Sequence, residues 1–158
     1  MFCIKKQRHV ESLGLPAHST LQRKHQLIVL VVVWGLFVGP ILATQVCIKS
    51  DCFDVEVAQT ESQRQRGLMY RRHLGNKSGM WFVFKAEGIY PFWMKNTSIP
   101  LDIIWVDGSR RVLDFKRNTT PFSEVPIIPS GRAKWVLEVP AGTVDRKLIA
   151  VGDYVQVR

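Results

Sequence analysis

The densest group of chemically useful side chains lies between positions 92 and 102. It reads Phe92-Trp93-Met94-Lys95-Asn96-Thr97-Ser98-Ile99-Pro100-Leu101-Asp102. Pockets for small molecules are mostly apolar and aromatic, with a few polar groups that orient the ligand, and this stretch has that composition. Alternation along an extended chain would send Phe92 and Met94 to one face, and Trp93 and Lys95 to the other. The stretch therefore predicts a binding surface, and packing within a core is the competing interpretation of each residue.

The candidate ligand-binding residues include this stretch and an earlier turn after a short predicted helix. They are Arg66, Met69, Trp93, Met94, Lys95, Asn96, Thr97 and Asp102. In one form of binding, a sugar ring stacks on Trp93 while Asn96 and Asp102 take its hydroxyl groups. The favoured hypothesis is a non-enzymatic module that binds a small molecule, an envelope glycan or a protein through these residues.

A hydrolase or lyase is the first alternative. Asp102 beside Lys95 and Asn96 could act as an acid or base if burial shifted the pKa values of the two titratable groups. The motif holds a single carboxylate, so the paired carboxylates of a glycosidase are not visible in it. A second carboxylate could approach in three dimensions from elsewhere in the chain. The candidates for that approach are Glu56, Asp107 and Glu138.

Binding of Cu(I) is the second alternative. Met69, Met80 and Met94 with Trp93 offer the soft thioether and aromatic groups that suit this ion. Methionines in a β domain more often fill gaps in the core. No other metal site and no cofactor are expected, because His73 is the only histidine after position 43 and the sequence has no nucleotide-binding glycine loop and no C-x-x-C pair.

Residues 1–43 predict an export signal or a membrane anchor. A basic leader precedes Leu27–Ala43, a run of 17 residues without a charge. Such a run fits a signal-peptide core better than a spanning helix of ~20 residues, and Gly39-Pro40 followed by Ala43 favours cleavage. We therefore expect a periplasmic or extracellular protein, anchored to the membrane only if residues 27–43 are retained.

Residues 44–158 are expected to form one domain without a nucleic-acid partner. Once the leader's five basic residues and one acidic residue are set aside, the net charge falls from +9 to +5. This moderate charge suits a soluble basic face, and an exported protein rarely meets nucleic acid. Cys47 and Cys52 could bridge across a β-hairpin in an oxidising compartment, with two free thiols as the alternative. The oligomeric state is left open.

The domain is predicted to be mainly β, a compact antiparallel barrel or sandwich with one or two short helices. Predicted strands cover 52–58, 80–84, 103–106, 111–115, 135–139 and 154–157, and Asp107-Gly108 signals a two-residue hairpin turn. Thr60 and Gln63 form a capping box at the start of a helix that Gly67 ends in the left-handed conformation. Thr143 is the expected cap of a second helical turn that runs to Leu148.

These segments together resemble the "domain of unknown function 192" family over almost all of positions 46–157. The matching runs are Val57-Ala58, Arg66-Gly67-Leu68-Met69, Gly79-Met80, the 92–97 block, Ile99-Pro100-Leu101-Asp102, Val136-Leu137-Glu138, Pro140-Ala141-Gly142 and Gly152-Asp153. The resemblance implies a compact, mainly β domain in an uncharacterised and often exported family. It supplies no activity.

Overall fold

The structure is a computed structural model that describes residues 44–158. The predicted signal or anchor at 1–43 lies outside the described residues. The strands and helices, in chain order, are β1 (Thr44–Ile48), β2 (Asp51–Ala58), α1 (Glu61–Arg66), β3 (Ser78–Gly88), β4 (Leu101–Val106), β5 (Val112–Lys116), β6 (Ala133–Pro140), α2 (Thr143–Arg146) and β7 (Val155–Val157). Neither helix in this part of the chain is long and apolar enough to cross a membrane.

All seven strands join one curled sheet, in the order β5-β4-β6-β3-β2-β1-β7. The two ends of the sheet approach each other, because Arg111 and Tyr154 form an isolated antiparallel bridge. The prediction of a mainly β domain with two short helices is confirmed. One pair differs from the antiparallel expectation, since β2 and β3 run parallel and are joined through α1 and a long connection.

Strand alternation divides the buried residues between the two faces of the sheet. In β2, Phe53 and Val55 are buried while Asp54 and Glu56 are exposed, as the sequence predicted. One apolar cluster includes Trp81, Ile104 and Leu137. A second cluster on the opposite face includes Phe82, Trp105 and Val136. This second face carries the candidate site, since α1 and the chain around positions 90–99 cover it.

The β1–β2 hairpin holds the predicted cysteine pair. Cys47 and Cys52 are direct partners in the strand register. Their sulfur atoms lie 2.06 Å apart, at disulfide-bonding distance. The proposed pairing of these two cysteines is therefore confirmed in the structure, at the position that a tight turn between adjacent strands predicts.

Two local predictions differ from the structure. The β4–β5 connection runs from Asp107 to Arg111, because the Asp107 carboxylate accepts from the amides of Ser109 and Arg111 and widens the turn. Thr143 is the first helical residue of α2 rather than its cap, and Gly142 takes the cap position without a side-chain bond. The Asp102 carboxylate supplies that bond from a distant part of the chain.

Candidate functional site

A cavity of about 590 Å³ lies on the second face of the sheet, between α1 and the segment at positions 90–97. Helix α1 is fixed on one side of it by its capping box. Thr60 accepts from the backbone amide of Gln63, and the Gln63 side chain accepts from the amide of Thr60, as predicted. The other side of the cavity is formed by Tyr90, Phe92 and neighbouring residues.

Glu138 lines this cavity from the central strand β6. It is paired in register with Met80 of β3 and Ile103 of β4, so strands flank it on both sides. Only 5% of the residue is exposed, and its Oε2 has no hydrogen-bond partner among residues 44–158. Burial raises the pKa of the Glu138 carboxyl from 4.5 to about 8, because a charged carboxylate is poorly solvated there. At neutral pH this group is mostly protonated.

Gly67 brings the chain close to Glu138 at the end of α1. Its φ is +47° and its ψ is −134°, so the φ is positive as expected but the residue is not in the left-handed helical region. A Cβ added here would lie 3.3 Å from the Phe82 ring and 3.8 Å from Oε2 of Glu138. Glycine therefore permits both the backbone conformation and the close approach.

Aromatic rings form much of the cavity wall. Phe82 and Phe92 meet edge to face with their ring centroids 4.9 Å apart, and Phe84 stacks on Tyr90 at 3.6 Å. The Tyr90 hydroxyl donates to the Ala86 carbonyl at 2.7 Å, which holds this stack in place. Such rings give a ligand large apolar contact surfaces of fixed orientation.

Basic residues surround the aromatic wall. Arg64 is fully engaged, because its guanidinium donates to two backbone carbonyls and pairs with Glu61 at 2.8 Å. Arg66 and Lys85 also line the cavity. Both are exposed, and their side chains make no hydrogen bond or ion pair with another of the described residues. The entrance therefore offers cationic groups that are free to meet a ligand.

Four of the eight predicted binding residues line the cavity, and four do not. Arg66, Met69, Trp93 and Thr97 belong to its lining. Trp93 is 46% exposed, and the Lys95 ammonium lies 5.3 Å from its ring centroid. Met94 is buried, Trp93 is exposed and Lys95 is half-buried, but Phe92 and Trp93, which the alternation placed on opposite faces, line the same cavity.

Comparisons with known proteins agree with this architecture. The family of the domain of unknown function 192 (DUF192, "Uncharacterized ACR") matches residues 44–157. The chain belongs to the DUF192 family. It is 32% identical over 104 residues to a UPF0127 protein of Thermococcus sibiricus, which covers 63% of this chain and 62% of that protein. It is likewise 32% identical over 106 residues to the UPF0127 protein TK1120 of Thermococcus kodakarensis, again with 62% of that protein covered.

A solved structure shares the fold of this DUF192 domain. A protein of unknown function from Novosphingobium aromaticivorans is 36% identical, with a TM-score of 0.68. The match covers 75% of this chain and 89% of that one. The chain spans less than two thirds of the length of the two archaeal relatives. Family membership thus establishes a shared fold and leaves the activity to be inferred from the site.

Asp102 of the DUF192 domain lies on the face of the sheet opposite the cavity. Its carboxylate accepts from the backbone amides of Asn118 at 2.8 Å, Gly142 at 3.2 Å and Val144 at 2.8 Å. It is completely buried, and it supplies the bond that caps α2. The Lys95 ammonium lies 3.7 Å from the Glu124 carboxylate instead. The structure therefore does not assemble Asp102 with Lys95, the arrangement that the hydrolase alternative requires.

Asn96, Met94 and the other methionines occupy separate environments. Asn96 donates to the Tyr70 hydroxyl at 2.9 Å, and Met94 accepts at sulfur from the Thr119 hydroxyl at 3.1 Å. Met69 and Met80 share a smaller cavity of about 460 Å³ that Met94 does not line. The three thioethers are thus not lined up along one cavity. Among residues 44–158, no group of three His, Cys, Asp or Glu residues could hold a metal ion.

Glu138 is the site residue that the sequence pattern did not single out. It was one of three acids that could approach the motif in three dimensions, and only the structure distinguishes it from the other two. A signal was nevertheless present, because Glu138 is the one charge inside the apolar run Trp135–Val139. A lone acid within a buried central strand is expensive, and such groups cluster at functional sites.

Proposed function

We propose that this DUF192 domain is a non-enzymatic binding module that takes a small, ring-containing ligand into the cavity above Glu138. The observation that carries the proposal is the Oε2 atom of Glu138, which is buried in the cavity wall without a hydrogen-bond partner among the described residues. An unpaired buried polar atom destabilises a fold by about 1–3 kcal/mol. A ligand that supplies the missing partner recovers part of that free energy.

The shape and lining of the cavity support a ring-containing ligand. Its volume of about 590 Å³ falls within the range of small-molecule sites. Phe92 and Trp93 line it, and Trp93 is half exposed. Stacking on an aromatic side chain contributes about 0.5–1.5 kcal/mol beyond the burial of apolar area.

The acidic groups of the cavity favour binding over hydrolysis. Two carboxyl groups line it, those of Glu61 and Glu138. Glu61 is exposed and paired with Arg64, so it remains an anion at the entrance. The Arg64 side chain is in turn held by backbone carbonyls. The two carboxyl groups of the lining therefore differ in environment, because that of Glu138 is buried and protonated and that of Glu61 is exposed and paired with Arg64.

We also propose that the domain works outside the cytoplasm, either released or anchored through residues 27–43. The leader pattern and the Cys47–Cys52 bridge support this proposal, because disulfides persist mainly in oxidising compartments. A reporter enzyme that is active only after export, fused behind position 43, is expected to be active. A fusion that stays inactive in the cytosol would refute the proposed location.

Titration of the full-length chain in mild detergent with phenol and with indole tests the binding proposal. Both probes are expected to shift the NMR signals of cavity residues at millimolar concentration. Ala86→Trp places a bulky ring in the cavity lining and should weaken binding about tenfold or more. Ala150→Trp adds the same ring at an exposed position that does not line this cavity, and should leave binding unchanged.

Trp93→Ala provides a second test. Because Trp93 is half exposed, its loss should weaken probe binding while the thermal stability of the chain changes little. A large fall in thermal stability alongside the weaker probe binding would assign Trp93 to the core. Absence of any shift with either probe, or equal weakening by the two alanine-to-tryptophan variants, would contradict the binding proposal.

A further inference from the structure

We infer that the ligand is a small aromatic acid, whose carboxylate meets the basic entrance of the cavity and whose ring carries an oxygen that accepts a hydrogen bond from Glu138. This inference rests on the proposed function and deepens it by naming the chemical class of the ligand. It follows from the distribution of charge between the entrance and the wall of one cavity.

The entrance of the cavity has a surplus of positive charge. The ionisable groups on its lining, apart from Glu138 and the Tyr90 phenol, are Glu61, Arg64, Arg66 and Lys85. Glu61 and Arg64 form an ion pair at 2.8 Å and largely cancel each other. Arg66 and Lys85 remain, and neither side chain has an ion-pair partner in the described part of the chain. Free guanidinium and ammonium groups attract carboxylates and repel amines.

Glu138 has no positive partner of its own. In residues 44–158 no basic side chain lies within ion-pair distance of its carboxyl, and its burial is nearly complete. The groups that face the cavity around it are Glu61, Arg64 and Arg66 from α1, Lys85 from β3 and Tyr90 from the following segment. A lone carboxylate is costly to bury, so the group stays protonated.

A protonated Glu138 is a hydrogen-bond donor. Its raised pKa of about 8 agrees with the neutral form at physiological pH. A neutral carboxyl group can donate to an ether, carbonyl or phenolic oxygen, and it gives no ionic attraction to an amine. A single ligand can pair with both the Glu138 donor at the wall and the cations at the entrance. Such a ligand is an aromatic ring with an oxygen at one end and a carboxylate at the other.

Four ligands that differ in one group at a time test the inference on the full-length chain. 4-Methoxybenzoate, 4-methoxybenzyl alcohol and 4-methoxybenzylamine share a ring and differ in charge. 4-Ethylbenzoate replaces the ether oxygen with a methylene group of similar size. NMR titration at neutral pH should rank the affinities acid, alcohol, amine, with about tenfold or more between the extremes. The ether should bind several-fold more tightly than its ethyl analogue.

Glu138 variants locate the contact. Glu138→Leu should remove the preference for the ether oxygen over the methylene group, whereas Glu138→Gln, which keeps a donor, should retain it. Affinity for 4-methoxybenzoate should fall about tenfold as the pH rises through 8 in the wild-type chain, because Glu138 then ionises and repels the ligand. The Glu138→Gln variant should show no such fall. Circular dichroism checks that each variant is folded.

Arg66 variants locate the carboxylate. Arg66→Gln should lower the affinity for 4-methoxybenzoate several-fold and leave the affinity for 4-methoxybenzyl alcohol unchanged. Arg72→Gln is the matched control, since Arg72 is exposed and does not line the cavity. Tightest binding of the amine would overturn the inference and leave the binding function standing. Affinity for 4-methoxybenzoate that is the same in the Glu138 and Arg66 variants as in wild type would also overturn it. Failure of all four ligands to bind would remove the binding function as well.

Discussion

Asp102 and Glu138 are the two acids that the described part of the chain buries, and they have opposite environments. Asp102 accepts three backbone amides that hold the chain near Asn118 and the start of α2. Asp102 pairs with Val139 in the β4–β6 register, so the neighbouring Glu138 lies on the other face of the sheet. Its Oε2 atom has no hydrogen-bond partner among the described residues. A carboxylate on several amides stabilises a fold, whereas an unpaired one destabilises it. The comparison separates an acid that serves the structure from one that is available to a ligand.

The largest expected effect concerns the pH dependence of stability. The pKa of Glu138 rises from 4.5 when unfolded to about 8 when folded. Between these values the folded state keeps a proton that the unfolded state releases. The stabilisation that this protonation gives the folded state is therefore complete below pH 4.5 and is lost as the pH rises through 8. The loss amounts to roughly 5 kcal/mol over that window. Urea unfolding at several pH values should show this fall in wild type but not in Glu138→Gln; parallel pH profiles would contradict it.

Asp102→Ala should lower the free energy of unfolding by about 4 kcal/mol, because three buried amides lose a charged acceptor. Asp102→Asn keeps one acceptor oxygen and should lose less. Asp145→Ala is the control, since Asp145 is exposed and forms only the surface ion pair with Arg117. Urea unfolding of the three variants measures the differences. A fall in the free energy of unfolding of Asp102→Ala no greater than that of the control would contradict the structural role of Asp102.

Glu138→Leu should raise the free energy of unfolding at neutral pH by about 2 kcal/mol, because it removes a buried polar group that lacks a partner. Stability and ligand binding would then change in opposite directions. Glu124→Leu serves as the exposed control, with little change expected, since Glu124 makes one long surface contact. If urea unfolding shows that Glu138→Leu destabilises the chain, Glu138 has a structural role like that of Asp102.

The smallest effect concerns the turn above Glu138. Gly67→Ala and Gly152→Ala both place a Cβ at a positive φ, but only Gly67 has neighbours within contact distance of that atom. Gly67→Ala should therefore destabilise the chain by about 1 kcal/mol more than Gly152→Ala. Thermal unfolding of the two variants compares them. Equal losses of stability in the two variants would show that a Cβ at position 67 does not clash with Phe82 and Glu138.

Much of the fold could be predicted from local patterns. Alternation identified β2, the apolar run from Met80 to Phe84 identified the middle of β3, and the capping box placed α1. A tight turn at positions 49–51 suggested a bridge between Cys47 and Cys52 across a hairpin, with two free thiols as the alternative, and the structure shows the bridge. The parallel pairing of β2 with β3 was missed, since strand direction depends on a connection that carries no periodic signal.

The sequence by itself determined a strand-built domain and its family and suggested the cysteine pair, because periodicity, caps and turns act over a few residues. Only the tertiary structure decided which acid serves the structure and which faces a cavity. The amides that satisfy Asp102 lie 16 to 42 residues away along the chain. The walls around Glu138 come from α1, β3 and the segment at positions 90–97. Whether a buried carboxyl finds a partner depends on such distant segments meeting, and no local pattern records that.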